Sequence, residues 1–291
     1  MKAGRVSRTA EAAAALRAHH YRHTNNPVFS DAFAFEMTNA RWRMLLSNPL
    51  CQKVLNSNAC HYSLGRLTAQ VVGRSRYAED LLLEALNLGE IRQYVLVGAG
   101  LDSFVLRVAQ DYPELKIFEV DHADTQKIKR HKLNKLGIIP ANVEFVSIDF
   151  ENENLSDALL RHAFDTTQAT FFSWLGTTHY LTPETTLVTL KNVASLAHRN
   201  SEVVFDYSID YRELSGIERV GSFAIAQFTR LLKEPLVGAF SPQYLHRALQ
   251  ALGYVVMEDL SGAAITARYF SYPSAQIQHT QATRLIHLKL P

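Results

Sequence analysis

Cysteine is scarce in this chain of 291 residues; only Cys51 and Cys60 occur. They stand outside any Cys-x-x-Cys spacing, with His61 the one ligand-type neighbour. That excludes a disulfide framework and a zinc module, and leaves two ordinary thiols in a reducing compartment. Charge of one sign is missing too. The 30 Lys and Arg against 28 Asp and Glu give +2, too mild a balance for nucleic-acid recognition, which concentrates basic residues on one face. No apolar run approaches the ~18 residues of a membrane span. The opening Met1-Lys-Ala-Gly-Arg, leading into Glu11–Arg17, is too short and too charged for a secretory signal. Repeats, low-complexity tracts and proline-rich linkers are also lacking. What remains is 47% hydrophobic and 20% charged, enough apolar material for a sizeable core, and a soluble cytoplasmic protein is expected.

Residues 1–90 read as helical. Thr9 can cap a helix over Ala12–His20, Ser30 or Asp31 another over Ala32–Met37, and Arg74–Leu86 is amphipathic. The cluster His19-His20-Tyr21-Arg22-His23 either closes over the acceptor or, since its residues point in different directions on a helix, forms an exposed polar face, the favoured reading. From Tyr94 the grammar changes to alternating strands and helices. Strand-like runs cover Tyr94–Val97, Leu115–Val120, Val143–Ile148, Ala169–Trp174 and Glu202–Tyr207, with helix-like runs at Ser103–Gln110, Thr125–Leu136, Leu155–His162 and Pro183–Ala197. Near-continuous apolar strands suit a parallel sheet buried on both faces. Thr182-Pro-Glu and Ser241-Pro242 carry helix-start chemistry, and Gly253 is a helix stop. Tyr254–Leu260 and Arg284–Leu290 read as two terminal strands, an antiparallel addition to the sheet. The expected architecture is α/β and Rossmann-like: a mostly parallel seven-stranded sheet with helices on both faces. A helical cap of residues 1–90 lies over residues 91–291, the two forming one integrated unit.

The strongest local signal is Tyr94-Val-Leu-Val-Gly-Ala-Gly100 followed by Phe118-Glu-Val-Asp121, where Gly100 and Asp121 are 21 residues apart. A strand, a Gly-x-Gly turn, a helix and a second strand ending in acid form a nucleotide-binding unit. The glycines admit close backbone approach, and the carboxylate accepts the ribose hydroxyls. The third glycine of a dinucleotide fingerprint would fall at Ser103. Its absence favours a ligand without phosphates, and S-adenosylmethionine fits as an adenosine with a charged amino-acid tail.

Arg74-x-Arg76, Val97-Gly-Ala-Gly-Leu-Asp-Ser103 with Arg107, Phe118-Glu-Val-Asp-His122, Asp149 and Trp174-Leu-Gly-Thr-Thr-His-Tyr-Leu181 together resemble the leucine carboxyl methyltransferase-like family. More closely they resemble its bacterial small-molecule branch. The resemblance runs from about Ser7 to the C-terminus. It implies a class I methyltransferase fold that uses S-adenosylmethionine, releases S-adenosylhomocysteine and needs no metal. It further implies that Arg74, with Arg76 as near neighbour, pairs with the cofactor's methionine carboxylate, and that Gly98 and Gly100 line the turn beneath the methionine part. Asp121 with His122 then stands at the ribose, and Asp149-Phe150 holds adenine; the competing account of Asp149 is a turn or cap residue. Asp102 is expected to brace the glycine loop through Arg107 or a backbone amide. The family's glutamate five residues before its tyrosine is replaced here by Leu175, so that contact is lost or supplied elsewhere, which weakens the reading as a carboxyl methyltransferase of a protein C-terminus.

His179 and Tyr180 follow the fourth strand, where acceptor chemistry sits in open α/β sheets. A carboxylate acceptor needs no base, whereas a hydroxyl does, and His179 is the candidate; the alternative is a hydrogen-bonded packing histidine. The leading expectation is an O-methyltransferase acting on a hydroxyl or carboxyl of a small, partly apolar metabolite of the polyketide kind, free or carried on a protein. Lys127-x-Lys-Arg-His-Lys132 is either a solvated helix face or a dock for an acidic carrier. The aromatics Tyr269-Phe-Ser-Tyr272 and Phe223–Phe228 wall an acceptor pocket or fill the core. The rivals are a nicotinamide-dependent oxidoreductase, against which the missing third glycine and His122 speak, and a cofactor-binding module without turnover.

Overall fold

The structure is a computed structural model that describes residues 8–55, 57–137, 139–150, 152–231, 236–271 and 277–291. Cys60, His61 and Phe228 are outside its described side chains, and Met1–Ser7 and Tyr272 outside its described residues. The chain opens with helices α1 (Arg8–His23), α2 (Ala34–Met37), α3 (Ala40–Ser47), α4 (Pro49–Leu55) and the 30-residue α5 (Asn58–Asn87). Alternation follows as β1 (Gln93–Val97), α6 (Phe104–Arg107), β2 (Lys116–Asp121), α7 (Ala123–Leu136), β3 (Val143–Ser147), α8 (Leu155–Leu160), β4 (Thr170–Trp174), α9 (Pro183–Leu196) and β5 (Glu202–Ser208). The remainder is α10 (Gly216–Leu231), α11 (Pro242–Ala251), β6 (Val255–Leu260), α12 (Gly262–Tyr269) and β7 (Thr283–Lys289).

The seven strands form one sheet in the order β3-β2-β1-β4-β5-β7-β6. All pairings from β3 to β5 are parallel, and β7 runs antiparallel between β5 and β6. Strand order reverses between β1 and β4, so the carboxyl ends of β1, β2 and β4 frame the crevice where such sheets bind ligands. Gln93–Val97 is buried throughout, as a strand covered on both faces must be. One face packs under α5, whose Ala69, Val72, Tyr77 and Leu82 meet Tyr94, Leu96, Phe171 and Val204. The other packs under α8, α9 and α11, with Leu159, Leu190, Leu245 and Leu249 against Val95, Phe172 and Phe205.

Every expected strand is present, within a residue or two at its ends. Two caps differ. Thr182 holds the start of α9 by accepting from the Thr185 N–H at 3.2 Å, but Ser241 turns to Gln243 instead. Asp31 caps nothing: it is buried, accepting from Arg17 at 2.8 Å and Ser103 at 2.5 Å. Among the described residues no helix is long and apolar enough to cross a membrane.

Candidate functional site

The site is built where β1 ends. Gly98 has φ +72° and a Cβ there would fall 2.5 Å from Thr177 Cγ2, so both conformation and space demand glycine. The N–H groups of Gly98 and Ala99 donate to the Val120 carbonyl at 2.8 and 3.0 Å, fastening the turn to β2. One residue on, Asp121 closes the unit. Its Oδ2 accepts from the Gly100 N–H and its Oδ1 from the His122 N–H, both at 2.6 Å. Burial pushes the Asp121 carboxyl above its ordinary value, against the pull of those two N–H groups. Each oxygen keeps a lone pair for a further donor, as a pair of ribose hydroxyls requires. His122 caps α7, its Nδ1 accepting from the Asp124 N–H at 3.3 Å.

Asp102 accepts from the Phe104 N–H at 2.7 Å, bracing the loop through a backbone amide, while Arg107 forks onto Glu79 at 2.7 and 2.8 Å. Burial opposes the charged form of Asp102, but the nearby Arg17 and Arg107 charges outweigh it and hold the carboxyl low. Ser103, where a dinucleotide fingerprint has glycine, is fully buried and hydrogen-bonds Asp31 and Arg107. Asp149 and Phe150 follow β3, half-buried beside Asp121, whose carbonyl accepts from Ile148 at 3.1 Å. Asp149 also heads a turn: its Oδ2 accepts from Asn152 Nδ2 at 2.8 Å.

The turn after β4 joins this half of the site to a second. Thr177 lies against Gly98, and Gly176 against Arg74, whose Cζ would stand 2.8 Å from a Cβ at residue 176. Arg74, 15% exposed, pairs through Nη1 with Asp206 Oδ2 at 2.9 Å. Asp206 also accepts from the Gly176 N–H at 2.6 Å and from His179 Nε2 at 3.0 Å. Burial alone would raise the Asp206 carboxyl, yet the Arg74 charge, the neighbouring His179 and these hydrogen bonds hold it well below the carboxylate range. His179 is buried and its Nδ1 meets Ser208 Oγ at 2.8 Å. Tyr180 is half-buried one residue on.

Several sequence expectations are redistributed. Arg76 stands outside this cluster: two residues from Arg74 on a helix is the opposite side, and it pairs with Asp80 at 2.7 Å on the surface. The basic run of α7 is no single solvated face, since Lys129 is buried against Glu119 and Lys132 reaches the Thr38 carbonyl. His20 is likewise internal. It accepts from the Val28 N–H at 3.0 Å, and burial, then its neighbour His19, lower it to about 4. Of the tail aromatics, Phe270 belongs to the core, Tyr269 bonds Asp80 at 3.2 Å and Phe223 is exposed. Leu175 is half-buried and packs against the core.

Sequence reasoning missed Asp206, though an acid interrupting Val203-Val204-Phe205 near a strand's carboxyl end was a usable sign. It also missed His279, buried, within electrostatic reach of Asp206 and Arg74, and lowered to about 4 chiefly by burial. Among the described residues no group of three or more His, Cys, Asp or Glu is placed to hold a metal ion.

The seven-stranded sheet in the order 3-2-1-4-5-7-6, with helices on both faces, is the Rossmann-like fold of the class I methyltransferases. The comparisons agree. The model of the family described as leucine carboxyl methyltransferase matches residues 10–194, and the chain belongs to that family. Over 99% of both chains it is 29% identical to the "Putative S-adenosyl-L-methionine-dependent methyltransferase YktD" of Bacillus subtilis strain 168. A DUF574 family protein of Streptomyces avermitilis shares the fold at TM-score 0.64 and 10% identity, over 98% of each chain. Magnesium protoporphyrin IX methyltransferase of Synechocystis PCC 6803, with bound S-adenosylhomocysteine, does so at TM-score 0.51 and 11% identity over 86% of this chain and 93% of its own. The protein is an S-adenosylmethionine-dependent methyltransferase.

The site fits that cofactor on its own terms. The Gly98 turn packs directly against Thr177, which leaves no room for a Cβ there. Thr177 Oγ1 beside it is buried without a hydrogen-bond partner among the described residues.

Proposed function

We propose that this cytoplasmic enzyme methylates an oxygen, hydroxyl or carboxyl, of a small metabolite such as a polyketide-like compound. The observation that carries the reading is the hydrogen-bonded chain Asp206–His179–Ser208 at the carboxyl edge of β4 and β5. Asp206 only accepts, so the imidazole proton sits on Nε2 and Nδ1 keeps its lone pair toward the Ser208 hydroxyl. Ser208 is half-buried while His179 is buried. A hydroxyl acceptor therefore reaches the base through Ser208: its proton passes to Ser208 Oγ as the serine proton moves to His179 Nδ1, and the imidazolium is stabilised by Asp206.

Arg74, Gly98, Gly100, Asp121, His122, Asp149 and Phe150 hold the cofactor in this reading, and Tyr180 stands at the acceptor. The bound cofactor supplies a sulfonium-activated methyl; the protein aligns the acceptor with it and excludes water. Replacement of the family glutamate by the packed Leu175 speaks for a small acceptor over a protein C-terminus. The test incubates the purified protein and S-adenosylmethionine with a panel of phenols, aliphatic alcohols, carboxylic acids and amines, read by mass spectrometry. Methyl ethers or methyl esters support the reading. Methylation confined to amines, or none across the panel, overturns it.

A further inference from the structure

Arg74 and Asp206 lie 132 residues apart in sequence and meet at 2.9 Å. The carboxylate is 2% exposed and occupied on three sides, by Arg74 Nη1, His179 Nε2 and the Gly176 N–H. The guanidinium is differently placed. Among the described residues its one hydrogen bond is to Asp206, and its terminal nitrogens crowd the Gly176 backbone, where a Cβ would not fit. Its Nε and Nη2 donors are therefore uncommitted although the side chain is 85% buried (15% exposed). A guanidinium carries five donors in a fixed planar fork, so gripping one nitrogen while the Gly176 backbone crowds the fork's tip sets the direction of all the rest.

We infer that Asp206 is a positioning residue that aims the Arg74 fork at the cofactor's amino-acid carboxylate. This rests on the reading of Arg74 as the carboxylate partner. The grip is also electrostatic. Without the Asp206 charge, the arginine stem is free to swing away from Gly176, and His179 loses the acceptor that orients its ring.

The test compares two ligands that differ only in the carboxylate, S-adenosylmethionine and decarboxylated S-adenosylmethionine, titrated calorimetrically into the full-length protein. The native protein is expected to prefer the first, Arg74→Ala to abolish the preference, and Asp206→Asn to cut it roughly tenfold or more with little change for the decarboxylated compound. Native protein without the preference, or an Arg74→Ala variant that keeps it, ends the Arg74 reading and the inference with it. Preference abolished by Arg74→Ala but kept by Asp206→Asn ends the inference alone. Equal losses for both ligands in Asp206→Asn make Asp206 a general support and also end it. Should Asp206→Asn fail to fold, Asp206→Glu decides by the same ratio: it keeps the charge but displaces the fork, so a loss confined to S-adenosylmethionine supports the inference and any other pattern overturns it.

Discussion

Asp121 shows how one side chain can shape a binding edge before any ligand arrives. Its two oxygens are set by the Gly100 and His122 amides at 2.6 Å, so the carboxylate is oriented before binding. Replacing it by alanine removes charge-assisted bonds worth about 1.5–3 kcal/mol each, and calorimetry with S-adenosylhomocysteine is expected to show at least that loss of affinity. Unchanged affinity would remove Asp121 from the site. On the acceptor side, His179→Ala and Ser208→Ala are each expected to slow transfer to a hydroxyl by roughly a hundredfold. If only the histidine variant is slow, the proton leaves without Ser208. These residues were not equally legible. Gly98, Gly100 and Asp121 are short-range, a turn and the next strand end, and spacing alone brings them together. Asp206 depends on Arg74, which reaches it only because α5 crosses the sheet, and no local pattern announces that.

Helix α7 shows why a charge run cannot be read as a surface. Of Lys127-x-Lys-Arg-His-Lys132, Lys129 is 1% exposed at the side chain and 2.7 Å from Glu119, itself 1% exposed. Residues two apart on a helix face different ways, so one lysine of the run is core while Lys127 and Arg130 are in water. Burial raises Glu119 from 4.5 to about 7, against the lowering pull of Lys129. A carboxyl raised on folding binds more protons folded than unfolded, so its contribution weakens as pH climbs from 4.5 through about 7. Lys129→Met strands that carboxylate and is expected to cost about 3–5 kcal/mol at about pH 8. The penalty should shrink at about pH 5, where Glu119 takes a proton and no lone charge is buried. Adding Glu119→Gln to Lys129→Met should recover most of the loss. Urea unfolding of the three proteins at both pH values reads this, and equal destabilisation by Lys129→Met at both would refute it.

Across the whole molecule, the N-terminal helices and the sheet share polar as well as apolar interior. Strands, their order of appearance and the antiparallel finish were legible because buried parallel strands leave continuous apolar runs. The way the first helices lock down was not, because its parts are scattered. Arg17 in α1 bonds Asp31 at 2.8 Å and the Leu101 carbonyl at 2.8 Å; Ser103 joins Asp31 to Arg107, and Arg107 forks onto Glu79 of α5. Ala10 of α1 also comes within 3.4 Å of a Cβ position at Gly100. This buried chain runs from the cap through the glycine loop into α5, so cap and sheet are expected to unfold together. Arg17→Ala leaves the Asp31 carboxylate with Ser103 and with Arg107 at 3.8 Å, and a loss near the lower end of the 3–5 kcal/mol typical of a broken buried pair, about 3 kcal/mol, follows. Because the loop it fastens is the proposed cofactor cradle, saturating S-adenosylhomocysteine should restore much of that stability; about 2.7 kcal/mol is available at a hundredfold excess over Kd. Hydrogen exchange distinguishes this from a hinged lid. If Arg17→Ala lowers protection in β1 and β2 as much as in α1, cap and sheet are one cooperative unit; if only α1 loosens while the strands keep native protection, the cap is a separate flap and the integrated description fails.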